Sequence, residues 1–327
     1  MNPSKRTILV TGGAGFIGSE FVRQGVQRGY KIIVVDKLTY AGDLARLKES
    51  AGEITFYKTD ISHLRNLTGV FKKERPDVIA HFAAETHVDR SLQDALPFIQ
   101  TNIIGTQNLL ELARDFQIRK FLHISTDEVY GDSAKGRFKE DAPLKPNNPY
   151  SASKASAELL VRSAVRTYHL PAIIIRPSNN YGPWQYPEKF IPVIIVQALK
   201  GRRVPVYGEG RQIREWLHVC DCVRAVDLIL RKGAIGETYN IGSGFEKENL
   251  TTAQTILHLL GKSKDLIQFV QDRPGHDFRY SIDYAKLKKL GWKPKIPFPA
   301  GIRQTIHWYK ENFRWVEGKA LSRIYST

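Results

Sequence analysis

Two adjacent carboxylates in this chain could supply an acid and a base to one reaction. Asp127 and Glu128 follow Thr126 directly after a short apolar run, residues 121–124, which predicts a buried strand. Because ionising one carboxylate raises the pKa of its neighbour, such a pair tends to hold one proton. An elimination needs one donor and one acceptor, and the pair provides both. A solvated turn is the alternative interpretation, but the carboxyl ends of strands in open sheets are where ligands bind.

A phenol and an ammonium form the second candidate group. Tyr150 and Lys154 are four positions apart at the start of a predicted helix, so they share one face. The ammonium and the helix N-terminus both favour the phenolate, and we therefore expect a lowered pKa for Tyr150. Tyr150 would then be a base near neutral pH. An amphipathic helix with a surface Tyr and Lys explains the same spacing.

A glycine-rich turn follows the first predicted strand, residues 6–10. Gly13, Gly15 and Gly18 fit the pattern G-x-G-x-x-G, and Gly12 begins an overlapping one. A turn of this kind lets a pyrophosphate approach the backbone at a helix N-terminus. A second apolar strand follows at the expected distance, which makes a dinucleotide site the preferred interpretation over a turn that binds nothing.

Acidic and small residues follow the next predicted strands. Asp36 lies about twenty residues beyond the glycines, where a ribose 2′-hydroxyl needs an acceptor. Its charge would repel a 2′-phosphate, so the sequence favours NAD over NADP, although adjacent Lys37 could soften that preference. Asp60 fits the adenine edge, or equally caps a helix predicted at residues 62–73. The small residues 83–84 would let a dinucleotide lie close to the sheet.

The order of predicted elements indicates the fold. Strands and helices alternate through the first half without hairpin signals, which predicts an α/β fold with a doubly wound parallel sheet of the Rossmann type. Beyond the sixth predicted strand, proline, glycine and aromatic residues become frequent and the alternation ends. We expect an NAD-binding domain at residues 1–177 with a return segment at about 216–241. Residues 178–215 and 242–327 are expected to form a smaller, mixed α/β substrate domain.

Composition excludes several classes of protein. The formal net charge is +16 with a pI of about 9.7, but the basic residues are scattered, which favours a diffuse positive surface over a nucleic-acid site. No apolar run is long enough to span a membrane, and the polar N-terminus leaves no room for a signal peptide. The two cysteines, Cys220 and Cys222, make a poor metal site, so we expect no metal and a reducing cytoplasm.

Several motifs together resemble a known group of enzymes. The chain resembles the extended short-chain dehydrogenase/reductases that act on nucleotide sugars, through residues 11–19, Asp36, Tyr150 with Lys154, and residues 179–183. Within that group it is similar to the dTDP-glucose 4,6-dehydratases, and the similarity runs from about Ile8 to Trp292. The Thr126-Asp127-Glu128 triplet is the most specific part. The other segments that carry the narrower resemblance are residues 87–91, 125–131, 187–192 and 272–276.

The resemblance implies a mechanism and a set of roles. Tyr150 would remove the proton of the sugar 4-hydroxyl while hydride passes from C4 to NAD. Glu128 would then remove the C5 proton, and protonated Asp127 would donate to the departing 6-hydroxyl before hydride returns to C6. Thr126 would hold the 4-oxygen, and Lys154 would orient the nicotinamide ribose.

The resemblance also implies cofactor and substrate contacts beyond these residues. The cofactor contacts, together with those of Tyr150 and Lys154, are Gly12, Gly15, Phe16, Ile17, Gly18, Asp36, Lys37, Leu38, Thr39, Asp60, Ile61, Ala83, Ala84, Thr101 and Asn180. The substrate contacts, besides Thr126, are Thr86, Asn179, Lys189, Phe190, Pro205, Tyr207, Arg214, Asn249, Arg273 and His276.

Alternatives stay open at this point. Arg214 suits a diphosphate because its planar fork can bond two oxygens, but it could be a surface arginine beside Glu215. His276 could be a structural loop residue. The competing functions are a nucleotide-sugar epimerase or decarboxylase, a UDP-sugar 4,6-dehydratase, and a non-catalytic dinucleotide-dependent protein that binds nucleic acid. A homodimer through helices at residues 97–115 and 150–168 is also expected.

Overall fold

Seven parallel strands form the centre of the molecule. The computed structural model describes residues 6–133 and 135–319. The strands are rich in β-branched and apolar residues, as expected for strands covered on both faces. They are β1 (Thr7–Thr11), β2 (Lys31–Asp36), β3 (Ile54–Lys58), β4 (Val78–His81), β5 (Lys120–Ile124), β6 (Ala172–Pro177) and β10 (Thr238–Ile241).

The strand order confirms the predicted doubly wound sheet. The order across the sheet is β10-β6-β5-β4-β1-β2-β3, and every neighbouring pair is parallel. The chain order reverses between β1 and β4, so a crevice opens at their carboxyl ends, where open sheets bind ligands. Residues at that crevice are Gly12 after β1 and Ala83 after β4.

Helices cover both faces of this sheet. One face packs on the helices Phe16–Gln27 and Val219–Lys232 through side chains such as Phe21 and Val226. The other face packs on three helices, at residues 64–74, 105–115 and 149–168, through side chains such as Phe71 and Leu109. The helices up to the sixth strand are α1 (Phe16–Gln27), α2 (Leu64–Glu74), α3 (Val88–Gln93), α4 (Leu96–Phe98), α5 (Gly105–Asp115) and α6 (Pro149–Tyr168).

A second group of elements has its own apolar core, which includes Tyr181, Ile194, Trp216 and Ile302. A three-stranded sheet, β11-β9-β7, and the parallel pair β12-β8 lie here. The two-domain division stays a prediction, and this separate core favours it. The elements are β7 (Asn179–Tyr181), α7 (Phe190–Leu199), β8 (Val204–Tyr207), β9 (Ile213–His218), α8 (Val219–Lys232), β11 (Glu246–Glu248), α9 (Asn249–Leu260), β12 (Ile267–Val270), α10 (Ala285–Lys289), α11 (Phe298–Glu311) and α12 (Phe313–Glu317).

Local structure differs from the sequence predictions in several places. Residues Leu44–Ser50 form a 3₁₀-helix, and the helix expected at residues 97–115 contains a π-helical turn, Ile99–Ile104. The short strands β7, β11 and β12 were not predicted, and β7 (Asn-Asn-Tyr) and β11 (Glu-Lys-Glu) lack the apolar residues by which a strand is identified. Within residues 6–133 and 135–319, no helix is both long and apolar enough to cross a membrane.

Candidate active site

Three cavities that share lining residues open along the carboxyl edge of the sheet. The first, the dinucleotide cavity, lies between the glycine turn and the residues that follow β2, β3 and β4. The second, the central cavity, contains the carboxylate pair and Tyr150. The third, the outer cavity, lies between residues 86–89 and the second group of elements. Gly12 and Ala84 line the first two cavities, while Glu128 and Lys189 line the last two.

The glycine turn is shaped for close approach to its own backbone and to a ligand. Gly12 has a φ of +68°, and a Cβ there would lie 2.5 Å from the Ala83 nitrogen. A Cβ on Gly18 would lie 2.2 Å from the Gly12 oxygen, so helix α1 starts directly against the turn. Gly15 immediately precedes α1 as its N-cap and contributes no side chain to the cavity. This cradle fits the pyrophosphate of a dinucleotide at a helix N-terminus.

Asp36 is fixed at the end of β2 by two backbone donors. The Ala14 nitrogen donates to Oδ2 at 3.0 Å, and the Leu38 nitrogen donates to Oδ1 at 2.8 Å. Lys37 turns away toward other partners: Nζ donates to Thr101 Oγ1 at 3.0 Å and lies 3.6 Å from Asp60 Oδ2. From this position the charge of Lys37 still opposes the rise in the pKa of Asp36 that burial causes.

The carboxylate pair sits on a 3₁₀ turn directly after β5. Thr126 Oγ1 accepts the Glu128 N–H at 3.2 Å and donates to Asp127 Oδ1 at 3.3 Å, which fixes the turn. Burial and then the Glu128 carboxylate raise the pKa of Asp127 well above its usual range. Asp127 Oδ2 is buried and has no hydrogen-bond partner among the described residues. Asp127 is therefore the member of the pair that holds the proton.

Cationic residues of the outer cavity lower the pKa of Glu128. Burial raises the pKa of Glu128, but Arg273, Arg214 and Lys189 oppose that increase. The Tyr280 hydroxyl lies 3.3 Å from Glu128 Oε2 and 2.7 Å from Asp277 Oδ2. The two adjacent carboxyls thus lie in different environments, which is the arrangement that separates an acid from a base.

Helix α6 carries Tyr150 and Lys154 into the central cavity. Asn148 caps the helix through the Ser151 N–H at 2.9 Å, and Pro149 occupies its first turn. Lys154 Nζ donates to the Ile124 oxygen at 2.7 Å, and burial lowers the pKa of Lys154 to about 8.

The predicted lowering of the Tyr150 pKa is wrong for the protein groups by themselves. Tyr150 is 7% exposed, and burial followed by the charge of Glu128 raises its pKa. A hydrogen bond with Thr126 acts in the opposite direction but is the smaller effect. Lys154 is held by the Ile124 carbonyl, so i, i+4 spacing on one helix face did not produce the expected pairing.

Basic residues of the outer cavity are held by protein partners to different extents. Arg214 donates to the carbonyls of Ile213 at 2.8 Å and Asp277 at 2.9 Å, and its Nη2 lies 2.9 Å from His276 Nε2. Arg273 donates to Asp89 Oδ1 at 3.1 Å, but its Nε is buried without a partner among the described residues. Arg273 is therefore freer than Arg214 to bind an anion.

His276 contacts Arg214 and helps to hold its side chain in place. Nδ1 lies 2.6 Å from Asp272 Oδ1, and Nε2 faces Arg214. Burial and the charges of Arg273 and Arg214 lower the pKa of His276 to about 4, so it is neutral near pH 7 and accepts from Arg214. This geometry favours the structural interpretation of His276.

Three predicted contacts do not line the three cavities. Leu38 packs toward the sheet core, with its N–H bonded to Asp36. Asp60 Oδ1 accepts the Ser62 N–H at 2.9 Å in a turn before α2, so it does not cap that helix, which begins at Leu64. Pro205 lies on β8 two residues before Tyr207, and only Tyr207 lines the outer cavity.

The other predicted residues line the three cavities, and their contacts with cofactor and substrate stay predictions. The cofactor residues that line the dinucleotide or central cavity are Gly12, Gly15, Phe16, Ile17, Gly18, Asp36, Lys37, Thr39, Ile61, Ala83, Ala84, Thr101, Tyr150, Lys154 and Asn180. The substrate residues that line the central or outer cavity are Thr86, Thr126, Asn179, Lys189, Phe190, Tyr207, Arg214, Asn249, Arg273 and His276.

Sequence reasoning missed several residues of the site. Glu188 is buried, accepts the Tyr40 hydroxyl at 2.9 Å and lines two cavities. It lies within residues 187–192, a segment that carries the family resemblance, so the sequence could have indicated Glu188 as a site residue. Arg46 and Tyr280 have no such signal, because only the folded chain brings Arg46 to the central cavity and the Tyr280 hydroxyl to Glu128.

Comparisons with known proteins identify the family. A family model described as GDP-mannose 4,6 dehydratase matches residues 9–305. The dTDP-glucose 4,6-dehydratase of Neisseria meningitidis is 50% identical over 336 residues, covering 95% of each chain. This chain belongs to the dTDP-glucose 4,6-dehydratase family.

Solved structures of this dehydratase family share the whole fold. DesIV, the dTDP-glucose 4,6-dehydratase of Streptomyces venezuelae with NAD bound, has a TM-score of 0.94 and 44% identity, covering 96% of this chain and 100% of that one. The UDP-glucose 4-epimerase of Thermotoga maritima has a TM-score of 0.89 and 32% identity, covering 94% and 99%. The fold is therefore common to dehydratases and epimerases, and the residues of the site must distinguish them.

Proposed function

We propose that the chain is an NAD-dependent dTDP-glucose 4,6-dehydratase, a hydro-lyase that forms dTDP-4-keto-6-deoxyglucose. The observation that carries this conclusion is the buried Asp127 beside Glu128 in the cavity that also contains Tyr150. An epimerase needs only the tyrosine and the cofactor, whereas loss of water needs an acid and a base as well. Near-full-length identity of 50% to a dehydratase agrees with this assignment.

The glycine turn and Asp36 suit NAD as the cofactor. The turn would hold the pyrophosphate, Asp36 would accept from the adenosine ribose, and Lys154 would orient the nicotinamide ribose. When bound, NAD supplies the acceptor and later the donor for one hydride. The small residues Ala83 and Ala84 line the dinucleotide cavity and leave space beside the sheet.

The protein's own groups would move the protons. Tyr150 removes the proton of the sugar 4-hydroxyl during oxidation at C4. The resulting ketone acidifies the C5 proton, which Glu128 removes, and Asp127 protonates the 6-hydroxyl as it leaves as water. Glu128 then returns its proton to C5 when C6 is reduced.

A complete cycle leaves one proton on Tyr150 and removes one from Asp127. The Thr126 hydroxyl donates to Asp127 Oδ1 at 3.3 Å and also bonds the Tyr150 phenol. It is therefore placed to pass that proton back and restore the starting state, besides holding the sugar 4-oxygen.

The outer cavity would bind the nucleotide diphosphate. Arg273, whose buried Nε has no partner among the described residues, lowers the pKa of Glu128 most among the cations, followed by Arg214 and Lys189. Tyr207, Asn249 and Phe190 line the same cavity. The remaining substrate contacts are Thr86, Asn179, Arg214 and His276. A UDP-sugar is the second candidate, because both nucleotide sugars carry the diphosphate that arginine and lysine side chains recognise.

Product analysis with labelled substrate tests the function. We expect dTDP-glucose carrying deuterium at C4 to give a product lighter by one water, with the deuterium in the new C6 methyl group. UDP-glucose assayed in parallel measures the nucleotide preference. A product of unchanged mass would identify an epimerase instead, and loss of carbon dioxide from a uronic acid substrate would identify a decarboxylase.

The proposed enzyme is a homodimer through α4–α5 and α6. Leu96 on α4 is 66% exposed and Leu159 on α6 is 60% exposed, so an apolar surface remains for a second copy to cover. We expect Leu159→Glu to convert a dimer into a monomer in analytical ultracentrifugation. Phe269→Glu, on β12 and also exposed, is the control that should stay dimeric. A wild-type monomer at micromolar concentration would refute the dimer.

The proposed setting is the cytoplasm, with a nucleotide sugar as substrate and with neither a nucleic acid nor a membrane as partner. The cysteines Cys220 and Cys222 are both free thiols, as a reducing compartment requires. Cell fractionation tests this location, and salt-sensitive binding of DNA or RNA would contradict the absence of a nucleic-acid partner.

A further inference from the structure

Arg46 is a buried cation beside the glycine turn. It lies on the 3₁₀-helix Leu44–Ser50, its exposed fraction is 2%, and it lines the central cavity together with Gly12, Gly15 and Phe16. Burial lowers the pKa of Arg46 to about 10, so the guanidinium is charged near neutral pH.

Neutral carbonyls hold three of its N–H groups. Nη1 donates to the Ala14 oxygen at 2.9 Å and the Ala41 oxygen at 2.5 Å, and Nε donates to the Trp184 oxygen at 3.0 Å. Nη2 is buried and has no hydrogen-bond partner among residues 6–133 and 135–319. The protein thus fixes one edge of the guanidinium by hydrogen bonds, while the Nη2 edge makes none and the group lies 5.4 Å from the centroid of the Trp315 ring.

The nearby carboxylates do not bond this guanidinium. Asp43 accepts from Trp315 Nε1 at 2.8 Å and from Lys319 Nζ. Asp36 accepts from two backbone N–H groups, as described above. A buried charge without a bonded counter-ion is unfavourable, so an anion that reaches Nη2 would be bound strongly.

The other cations that line the central cavity are already bonded to protein. Lys154 donates to the Ile124 carbonyl and Lys189 donates to the Thr86 carbonyl at 2.8 Å. The glycine turn itself supplies only backbone N–H groups. Arg46 is therefore the cation of this cavity with a buried, unused donor beside the turn.

We propose that Arg46 is a further cofactor-binding residue, whose Nη2 binds the anionic pyrophosphate of a dinucleotide seated on the glycine turn. This inference rests on the proposed NAD-dependent function. A guanidinium suits the task because its planar fork can hold loop carbonyls on one edge and phosphate oxygens on the other. Through Trp184 the same side chain joins the cofactor turn to the loop that carries Gln185 into the cavity.

Titration calorimetry with fragments of the cofactor tests the proposal. Stripped wild type, Arg46→Gln, Arg46→Lys and the control Lys48→Gln are titrated with NAD, ADP and adenosine. Lys48 is exposed on the same short helix, so its loss removes the same charge without changing the cavity. We expect Arg46→Gln to weaken NAD and ADP binding about 10- to 100-fold and to leave adenosine binding nearly unchanged. Arg46→Lys should recover part of the ADP affinity, and Lys48→Gln should match wild type.

The ratio of ADP affinity to adenosine affinity within one variant distinguishes direct binding of the phosphates by Arg46 from a purely structural role in holding the loops. If Arg46→Gln weakened both ligands by the same factor, Arg46 would only hold loops together, and the proposal would be overturned. Unchanged ADP affinity would overturn it too. These results differ from failure of wild type to bind NAD, which would refute the proposed cofactor itself.

Discussion

Replacing Tyr150 by Phe is expected to abolish the oxidation at C4 while leaving NAD in place. The phenol is the group proposed to accept the 4-hydroxyl proton, and loss of a general base slows a reaction by about 10²- to 10⁴-fold. The ring packs against Phe98 at a centroid distance of 6.4 Å, and the Phe side chain preserves that contact. Stopped-flow absorbance at 340 nm measures the loss, and NAD content after gel filtration measures cofactor retention.

Tyr168→Phe is the matched control, because Tyr168 lies on the same helix and is 56% exposed. It should turn over dTDP-glucose at the wild-type rate. Normal NADH formation in Tyr150→Phe would remove Tyr150 from the role of base. Loss of NAD from that variant would show instead that Tyr150 mainly holds the cofactor.

Asp127→Asn is expected to separate oxidation from loss of water. Asn keeps the size of the side chain but cannot deliver a proton, so elimination should slow by about 10²- to 10⁴-fold. Since Tyr150 and Glu128 remain, NADH should still form, and the C5 proton should still exchange with deuterated solvent. Transient absorbance at 340 nm and mass analysis of the quenched sugar measure these steps.

The pH dependence of elimination gives a second test of Asp127. Burial raises the pKa of this acid, and only its protonated form can donate. Elimination by wild type should therefore be lost as pH rises through that elevated pKa, and Asp127→Asn should lack this limb. The exposed Asp141→Asn serves as control and should keep it. Normal elimination in Asp127→Asn would show that another group protonates the leaving hydroxyl.

Local patterns in the sequence determined the frame of the site. Apolar strands separated by helices favour a parallel sheet covered on both faces, and the strand order confirmed it. The glycine turn and Asp36 are positioned by their distance along the chain, so β1, α1 and β2 are sufficient to place them. Asp127 and Glu128 are consecutive in the sequence, so they lie close together in any fold.

Tertiary structure decided the charges and the distant contacts. Whether Tyr150 is favoured as phenol or phenolate depends on burial and on Glu128, and these outweighed the helix spacing from which a low pKa was expected. Arg46 meets the glycine turn only because its short helix packs against α1, and the charge of Arg273 acts on Glu128 from far along the chain. Desolvation and long-range contacts depend on what surrounds a residue in space, and that information lies outside any local pattern.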